Sequence, residues 1–176
     1  VTEQTNLAFS PAKGADSKPS DRMFRIFVCG IGAILTIGGL GAIGEFTQMS
    51  LLMAPLGASA VLLFAVPNSP LAQVKNQLGG HLIAAIIGLF AILLPYEGIW
   101  LNAAAVGLTV MLMMLFSVEH PPAGAVPLVM VLGDVEPGFV LGPVLFGTFF
   151  LGAVTGIFHF VLSWHEGRRL RKRCLQ

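Results

Sequence analysis

Charge is the scarcest ingredient of this 176-residue chain. Asp, Glu, Lys and Arg together make up 11% of it, against about 25% in an ordinary soluble domain. The charges present are segregated. Lys13, Lys18, Arg22 and Arg25 lie near the start, Arg168, Arg169, Arg171, Lys172 and Arg173 near the end, and Lys75 between them. In so apolar a chain a basic terminal run reads as a membrane-topology signal rather than a nucleic-acid surface. Cysteine is also scarce. Cys29 lies in the first apolar run and Cys174 in the basic end, neither with a neighbour at metal-ligand spacing, which argues against a disulfide framework and a cysteine metal site. No Walker pattern is present, so ATP hydrolysis is not expected.

What the chain has in abundance is apolar sequence: 55% hydrophobic residues and a mean hydropathy of +0.83. Six apolar segments follow one another: Phe24–Gly44, Pro55–Val66, Leu78–Leu94, Ile99–Val118, Pro122–Leu132 and Phe139–Trp164. A helix needs about 20 residues to cross a bilayer. The second and fifth segments are too short to do so alone and need extended chain to complete a crossing, or else turn back. Residues 1–21 read as a polar cytoplasmic tail without a cleaved signal, 22–165 as the membrane domain, and 166–176 as a basic cytoplasmic tail.

The two short segments match. Pro55-Leu56-Gly57-Ala58 aligns with Pro122-Ala123-Gly124-Ala125 at a spacing of 67 residues, which also places Leu78 on Leu145 and Gly80 on Gly147. Short, Pro/Gly-interrupted segments at corresponding places in two halves mark a transporter repeat. The expected fold is an all-α, polytopic membrane helical bundle: about six membrane segments in two inverted three-segment repeats, with two short half-helices. With both termini cytoplasmic, six crossings put every lysine and arginine inside, in a multi-pass protein of the inner (plasma) membrane. The rival, four full spans with two re-entrant segments, exports Lys75.

Between the fourth and fifth segments stands Glu119-His120-Pro121-Pro122-Ala123-Gly124-Ala125. Titratable residues beside two prolines are expensive at membrane depth and mark function by default. The prolines lack N–H donors and push the residue before each away from helical dihedrals. The reading is a break at His120, then a short helix opened by Pro122, with Pro127 freeing the Ala123 carbonyl. A helix amino end favours an anion, and the second break offers the same at Pro55. The candidate substrate-binding residues are therefore His120, Pro121, Pro122, Gly124, Ala125, Pro55, Gly57, Ala58, Ser59 and His81. No catalytic residue, cofactor or metal is assigned. Glu119 is expected to face cytosolic water or to pair nearby, Asn68 and Asn102 to be weak polar lining, and His159 and His165 to carry no function.

The run His120-Pro121-Pro122, followed by Ala123-Gly124-Ala125, resembles the HPP family of small membrane proteins, named for that tripeptide. The resemblance extends over about Arg22–Trp164 and takes in Ala54-Pro55-Leu56-Gly57-Ala58-Ser59-Ala60 and Asn76-Gln77-Leu78-Gly79-Gly80-His81. It implies a membrane protein whose best-supported role is transport. Some members are implicated in nitrite transport across cyanobacterial and chloroplast membranes. The leading expectation is a permease or channel for a small monovalent anion, nitrite first. Its partners would be the lipid bilayer and that anion, with no nucleic acid, and with a homo-oligomer left open. Transport is expected to rise as pH falls toward the imidazole reference pKa of about 6.5, with His120 as the titrating group. Two other classes stand beside it: a structural or regulatory subunit of a larger complex, and, more remotely, a membrane-embedded enzyme using Glu119, His120 and His81.

Overall fold

The computed structural model describes residues 19–96 and 98–173, with side chains for 22–164 apart from residue 97. The tail up to residue 18, Glu97 and Cys174 lie outside the described residues. Within them no strand occurs, and six α-helices carry the chain: α1 (Pro19–Thr47), α2 (Ala54–Ala65), α3 (Val74–Leu93), α4 (Ile99–Leu115), α5 (Val126–Leu132) and α6 (Gly147–Arg173). Three stretches are long and apolar enough to cross a membrane: Arg22–Thr47, Val74–Leu93 and Pro137–Trp164. Ala54–Ala65, Ile99–Leu115 and Pro121–Leu132 are shorter apolar helices. The outer surface is greasy: Phe46, Trp100, Phe27, Phe160 and Leu115 are all exposed. The interior holds Thr36, Ser59, Gln77, His81, Thr109, His120 and Thr148. That distribution suits hydrocarbon as solvent, and the chain is an all-α membrane bundle.

Several boundaries depart from the sequence reading, each for a local reason. Pro19 opens α1, so the polar tail gives way to helix before Arg22. The fourth segment stops at Leu115, because Ser117 takes a left-handed conformation (φ 53°). The Val118 N–H then bonds the Met113 carbonyl at 2.9 Å, a Schellman ending. α1 ends the same way at Gln48 (φ 56°), with Met49 N–H on the Gly44 carbonyl. The fifth segment does not start as an α-helix at Pro122. Pro121–Ala125 is a 3₁₀ turn and α5 begins at Val126. Pro127 falls in the first turn of α5, where no N–H is needed. The Ala123 carbonyl is taken by the Val126 N–H, so it is not freed as expected. In the sixth segment Leu141–Phe146 is a π-helical stretch. Pro143 lies inside it, and a proline ring there lacks the N–H of an α-turn and crowds the preceding one.

The repeat reaches further than the two Pro-Xaa-Gly-Ala runs. Pro70 and Pro137, again 67 residues apart, each open a 3₁₀ turn. Val74 opens α3, and Leu141, at the same spacing, opens the helical stretch that continues as α6. The contacts give the direction of each helix. Gly32 and Gly44 on α1 lie against Phe64 and Leu51, so α2 returns along α1. Gly80 and Gly88 on α3 lie against His120 and Met130, so α5 runs parallel to α3. In the same way α2 runs parallel to α6, with Leu56 against Gly147 and Phe64 against Phe158. Exchanging the halves exchanges these two pairs.

Glycine sets the closeness of the approach. A Cβ on Gly80 would lie 2.9 Å from His120 Cβ and 3.2 Å from the Val118 carbonyl oxygen. Gly80→Val should therefore overpack the seat of the break and lower stability by about 1–3 kcal/mol. Gly38→Ala, with nothing within 4 Å, should leave stability unchanged or raise it by up to about 1 kcal/mol. Thermal unfolding of the detergent-solubilised variants, read by tryptophan fluorescence, checks both.

Candidate functional site

His120 is held at the end of an extended residue (φ −138°, ψ 95°), the conformation that Pro121 imposes on its predecessor. The ring turns inward and is fully buried. Its Nδ1 lies 2.9 Å from the Leu71 carbonyl oxygen. A carbonyl only accepts, so Nδ1 carries the proton and donates. Its Nε2 lies 2.9 Å from Ser59 Oγ, which in turn stands 3.0 Å from the Pro55 carbonyl oxygen. The hydroxyl has one proton. With a neutral ring it donates to Nε2; with a cationic ring Nε2–H donates to Oγ and the hydroxyl turns to Pro55. Both nitrogens of His120 are thus engaged in either state.

His81 is the second buried imidazole. It lies one helical turn beyond Gln77 on α3, its ring centroid 5.2 Å from that of His120. Its Nδ1 donates to the Gln77 carbonyl at 2.9 Å. Its Nε2 is buried and makes no hydrogen bond with the described residues. Gln77 itself reaches across to α6, Nε2 donating to the Thr148 carbonyl at 3.1 Å. Gln77 Oε1 and Thr148 Oγ1 are likewise buried without a hydrogen-bond partner among the described residues. Gly152, one turn from Thr148, makes room for the amide: a Cβ there would sit 3.0 Å from Gln77 Oε1. Orphaned buried polar atoms are rare in native proteins and call for a reason. Three of them occur here within one turn of the α3–α6 crossing.

The ten candidate residues therefore fall into two groups. His120, Ser59, Pro55, Pro122 and His81 are buried around this junction. Gly57, Ala58 and Pro121 are exposed, and Gly124 and Ala125 are half-buried. A Cβ on either Gly57 or Gly124 would meet nothing within 4 Å. The structure brings the two breaks together through Ser59 and His120, and turns the small residues beside them outward. Gln77 and Thr148 were missed by the sequence reading. Gln77 stood just before the third apolar segment as read, and the structure carries the helix back to Val74 to include it. For Thr148 a signal was present, because the 67-residue spacing that pairs Gly80 with Gly147 also pairs His81 with Thr148.

A cleft of about 590 Å³, lined among others by Arg25, Asn68, Gln73, Thr155, His159 and Ser163 but by none of Gln77, His81 and Thr148, reaches Gln73, one turn before Gln77 on α3. His159 Nε2 donates to the Leu63 carbonyl at 2.8 Å, capping one of the last carbonyls of α2. This is the role that sequence reading did not give it. Down α6 from the cleft, Ser163, His159, Thr155, Gly152 and Thr148 succeed one another at three- or four-residue intervals, a row on one helix face. Asn102, on α4, keeps a buried Oδ1 without a partner among the described residues but lies apart from this row. No group of three or more metal-ligating side chains occurs among the described residues.

Comparison with known proteins agrees with this architecture. Two transmembrane proteins of Dictyostelium discoideum are each 38% identical to the chain, over 108 and 85 residues respectively. These matches cover 57% and 46% of the chain but only 38% and 27% of the relatives' own length. No solved structure matches. The HPP transmembrane region matches residues 18–168. With its paired breaks, its His-Pro-Pro turn and that match over most of its length, the chain belongs to the HPP transmembrane family.

Proposed function

We propose that the protein is a permease for a small monovalent anion, with nitrite the first substrate to test. The observation that carries the reading is the buried, incompletely satisfied polar cluster of Gln77, His81 and Thr148 beside the Ser59–His120 junction. An apolar bundle in lipid loses stability by burying such groups, and polar residues at that depth mark solute pathways. The cluster lies where two interrupted helices meet, the usual place for a transporter site. The cleft beside Arg25 would be the vestibule. The row of hydroxyls and glycine on α6 leads from it toward Thr148. Among the described residues Arg25 has no carboxylate partner, so its charge is available to attract an anion.

The same arrangement supports six crossings with both termini on the cytoplasmic side. Arg25 and Val74 line one cleft, which puts Lys75 at the same end as the N-terminal cations. Met49 meets Gly142 at the opposite end. The chain from Leu51 through α2 to Phe64 runs beside α1 rather than doubling back, which disfavours a re-entrant segment. A structural or regulatory subunit is the second reading. The chain spans less than half the length of the curated relatives it matches.

The full chain reconstituted alone into proteoliposomes should take up nitrite faster than protein-free vesicles. Parallel assays with nitrate, formate and chloride set the selectivity. No flux of any anion would leave the subunit reading. Lys75→Cys should react with an impermeant thiol reagent only from the side that holds the termini; labelling only from the other side would sink the six-crossing topology. The junction predicts a coupling energy. In a double-mutant cycle of Ser59→Ala and His120→Leu, thermal stabilities should show about 0.5–1.5 kcal/mol of interaction. Strict additivity would mean the hydrogen bond contributes nothing.

A further inference from the structure

We propose that His81 and Thr148, beside Gln77, bind the transported anion together with a proton, as the acid form of a weak acid such as nitrous or formic acid, its hydrogen lying toward His81 Nε2. The proposal rests on the permease reading and adds the substrate class to it.

The argument is one of donors and acceptors. Gln77 Nε2 is spent on the Thr148 carbonyl, so the free end of that amide is Oε1, an acceptor. His81 Nδ1 faces the Gln77 carbonyl and must carry the ring proton, so the free nitrogen of the neutral ring is Nε2, also an acceptor. Thr148 Oγ1–H is the one donor of the three. Gln77 and His81 are at most 0% exposed and Thr148 1%. No Asp, Glu, Lys or Arg is among the buried side chains described on α3, α4, α5 or α6. Among the described residues the titratable group facing the His81 ring is His120, from the break before α5, at 5.2 Å between centroids.

A bare anion placed here would meet two acceptors and a single hydroxyl, with no fixed cation. The cost of taking such an ion out of water far outweighs one hydrogen bond. A ligand that carries its own proton fits two of the three, and leaves Gln77 Oε1 to a water molecule. Its O–H donates to His81 Nε2, and its second oxygen accepts from Thr148 Oγ1–H. If the proton transfers, the ligand O–H bond breaks, an Nε2–H bond forms, and an imidazolium faces the anion; the total charge is zero throughout. A strong-acid anion such as nitrate or chloride cannot share the proton and is disfavoured. The bland occupant is a water molecule, which buried polar atoms commonly hold. The test separates it from the acid.

Histidine labelled with ¹⁵N in the purified full chain provides a readout independent of flux. The His81 Nε2 resonance is assigned by its loss in His81→Gln. It should appear unprotonated, then move toward the protonated position on adding nitrite or formate, and stay in place with nitrate or chloride at equal concentration. In proteoliposomes, nitrite uptake should acidify the lumen, carry no current, and exceed nitrate uptake about tenfold, the scale of one lost charge-assisted hydrogen bond. His81→Gln should abolish that preference, with protein-free vesicles as the baseline for acid crossing the lipid itself. An Nε2 resonance indifferent to nitrite means a water only and overturns the proposal. So does nitrite flux that carries current and leaves the lumen pH unchanged. The resonance shift without flux would instead support this site and remove the permease reading.

Discussion

One imidazole ties the bundle together. His120 bonds the Leu71 carbonyl and the Ser59 hydroxyl, 49 and 61 residues away in sequence. Its ring lies against the second buried histidine. In an apolar medium a buried polar group must find its partner within the protein, because no solvent stands in for one. His120 can enter only if α2, the turn after it and α3 are already placed to receive it. The prolines make that entry possible by breaking the backbone where the ring turns inward, and Gly80 makes it close by leaving out a Cβ where His120 lies. Remove the ring and the Leu71 carbonyl and Ser59 lose their link across the halves. Gln77 on the Thr148 carbonyl and His159 on the Leu63 carbonyl add two further polar links, and the packing around them is largely apolar.

Three buried or half-buried histidines repeat one device. His81, His120 and His159 each donate a ring N–H to a main-chain carbonyl: Gln77, Leu71 and Leu63. Two of these carbonyls, Leu63 and Leu71, lie at the end of α2 and in the turn that follows, where helix hydrogen bonding runs out. A side chain that satisfies such a carbonyl lets a 12-residue helix end inside a membrane bundle. This explains how α2 can be too short to span by itself and still persist. It also separates the histidines chemically. His120 has both nitrogens engaged and acts as a fastener, while His81 has one left over. Of the two rings, only His81 keeps a nitrogen without a hydrogen-bond partner among the described residues.

Much of the architecture was legible in the sequence. Apolar run lengths gave six segments, and the paired prolines gave the two breaks. The repeat was visible at Pro55 and Pro122 but underread. The same spacing joins Pro70 to Pro137 and His81 to Thr148, and only the second of these bears on the site. The helix boundaries were least legible. Ser117 and Gln48 end their helices in left-handed conformations that neither residue type advertises. The 3₁₀ turn at Pro121–Ala125 could not be told from an α-helical first turn by composition, because two prolines suit either. Which small residues face inward was also hidden. Gly57 and Ala58 share a short helix with Ser59, and one residue of rotation separates an exposed position from a buried one.

The repeat is symmetric in backbone and asymmetric in chemistry. At the spacing of 67 residues, Ser59 pairs with Val126, Gln77 with Val144, His120 with Met53 and His81 with Thr148, and all eight side chains are buried. Only the last pair is polar on both sides. Yet four hydrogen bonds join one half to the other: Ser59 to His120, His120 to the Leu71 carbonyl, Gln77 to the Thr148 carbonyl and His159 to the Leu63 carbonyl. Hydrogen bonds of this kind contribute about 0.5–1.5 kcal/mol each. Each is weak enough to break and re-form if the halves move, and the four together favour one arrangement. If the halves rock against each other, these are the bonds that must yield or travel with the motion, and Gln77, His81 and Thr148, each with an atom unpartnered among the described residues, lie on α3 and α6, one from each half. A solute held at that point would touch both halves at once. Its binding would then shift the balance between their arrangements by the difference in its contacts with each, which is the thermodynamic requirement for coupling a site to a movement.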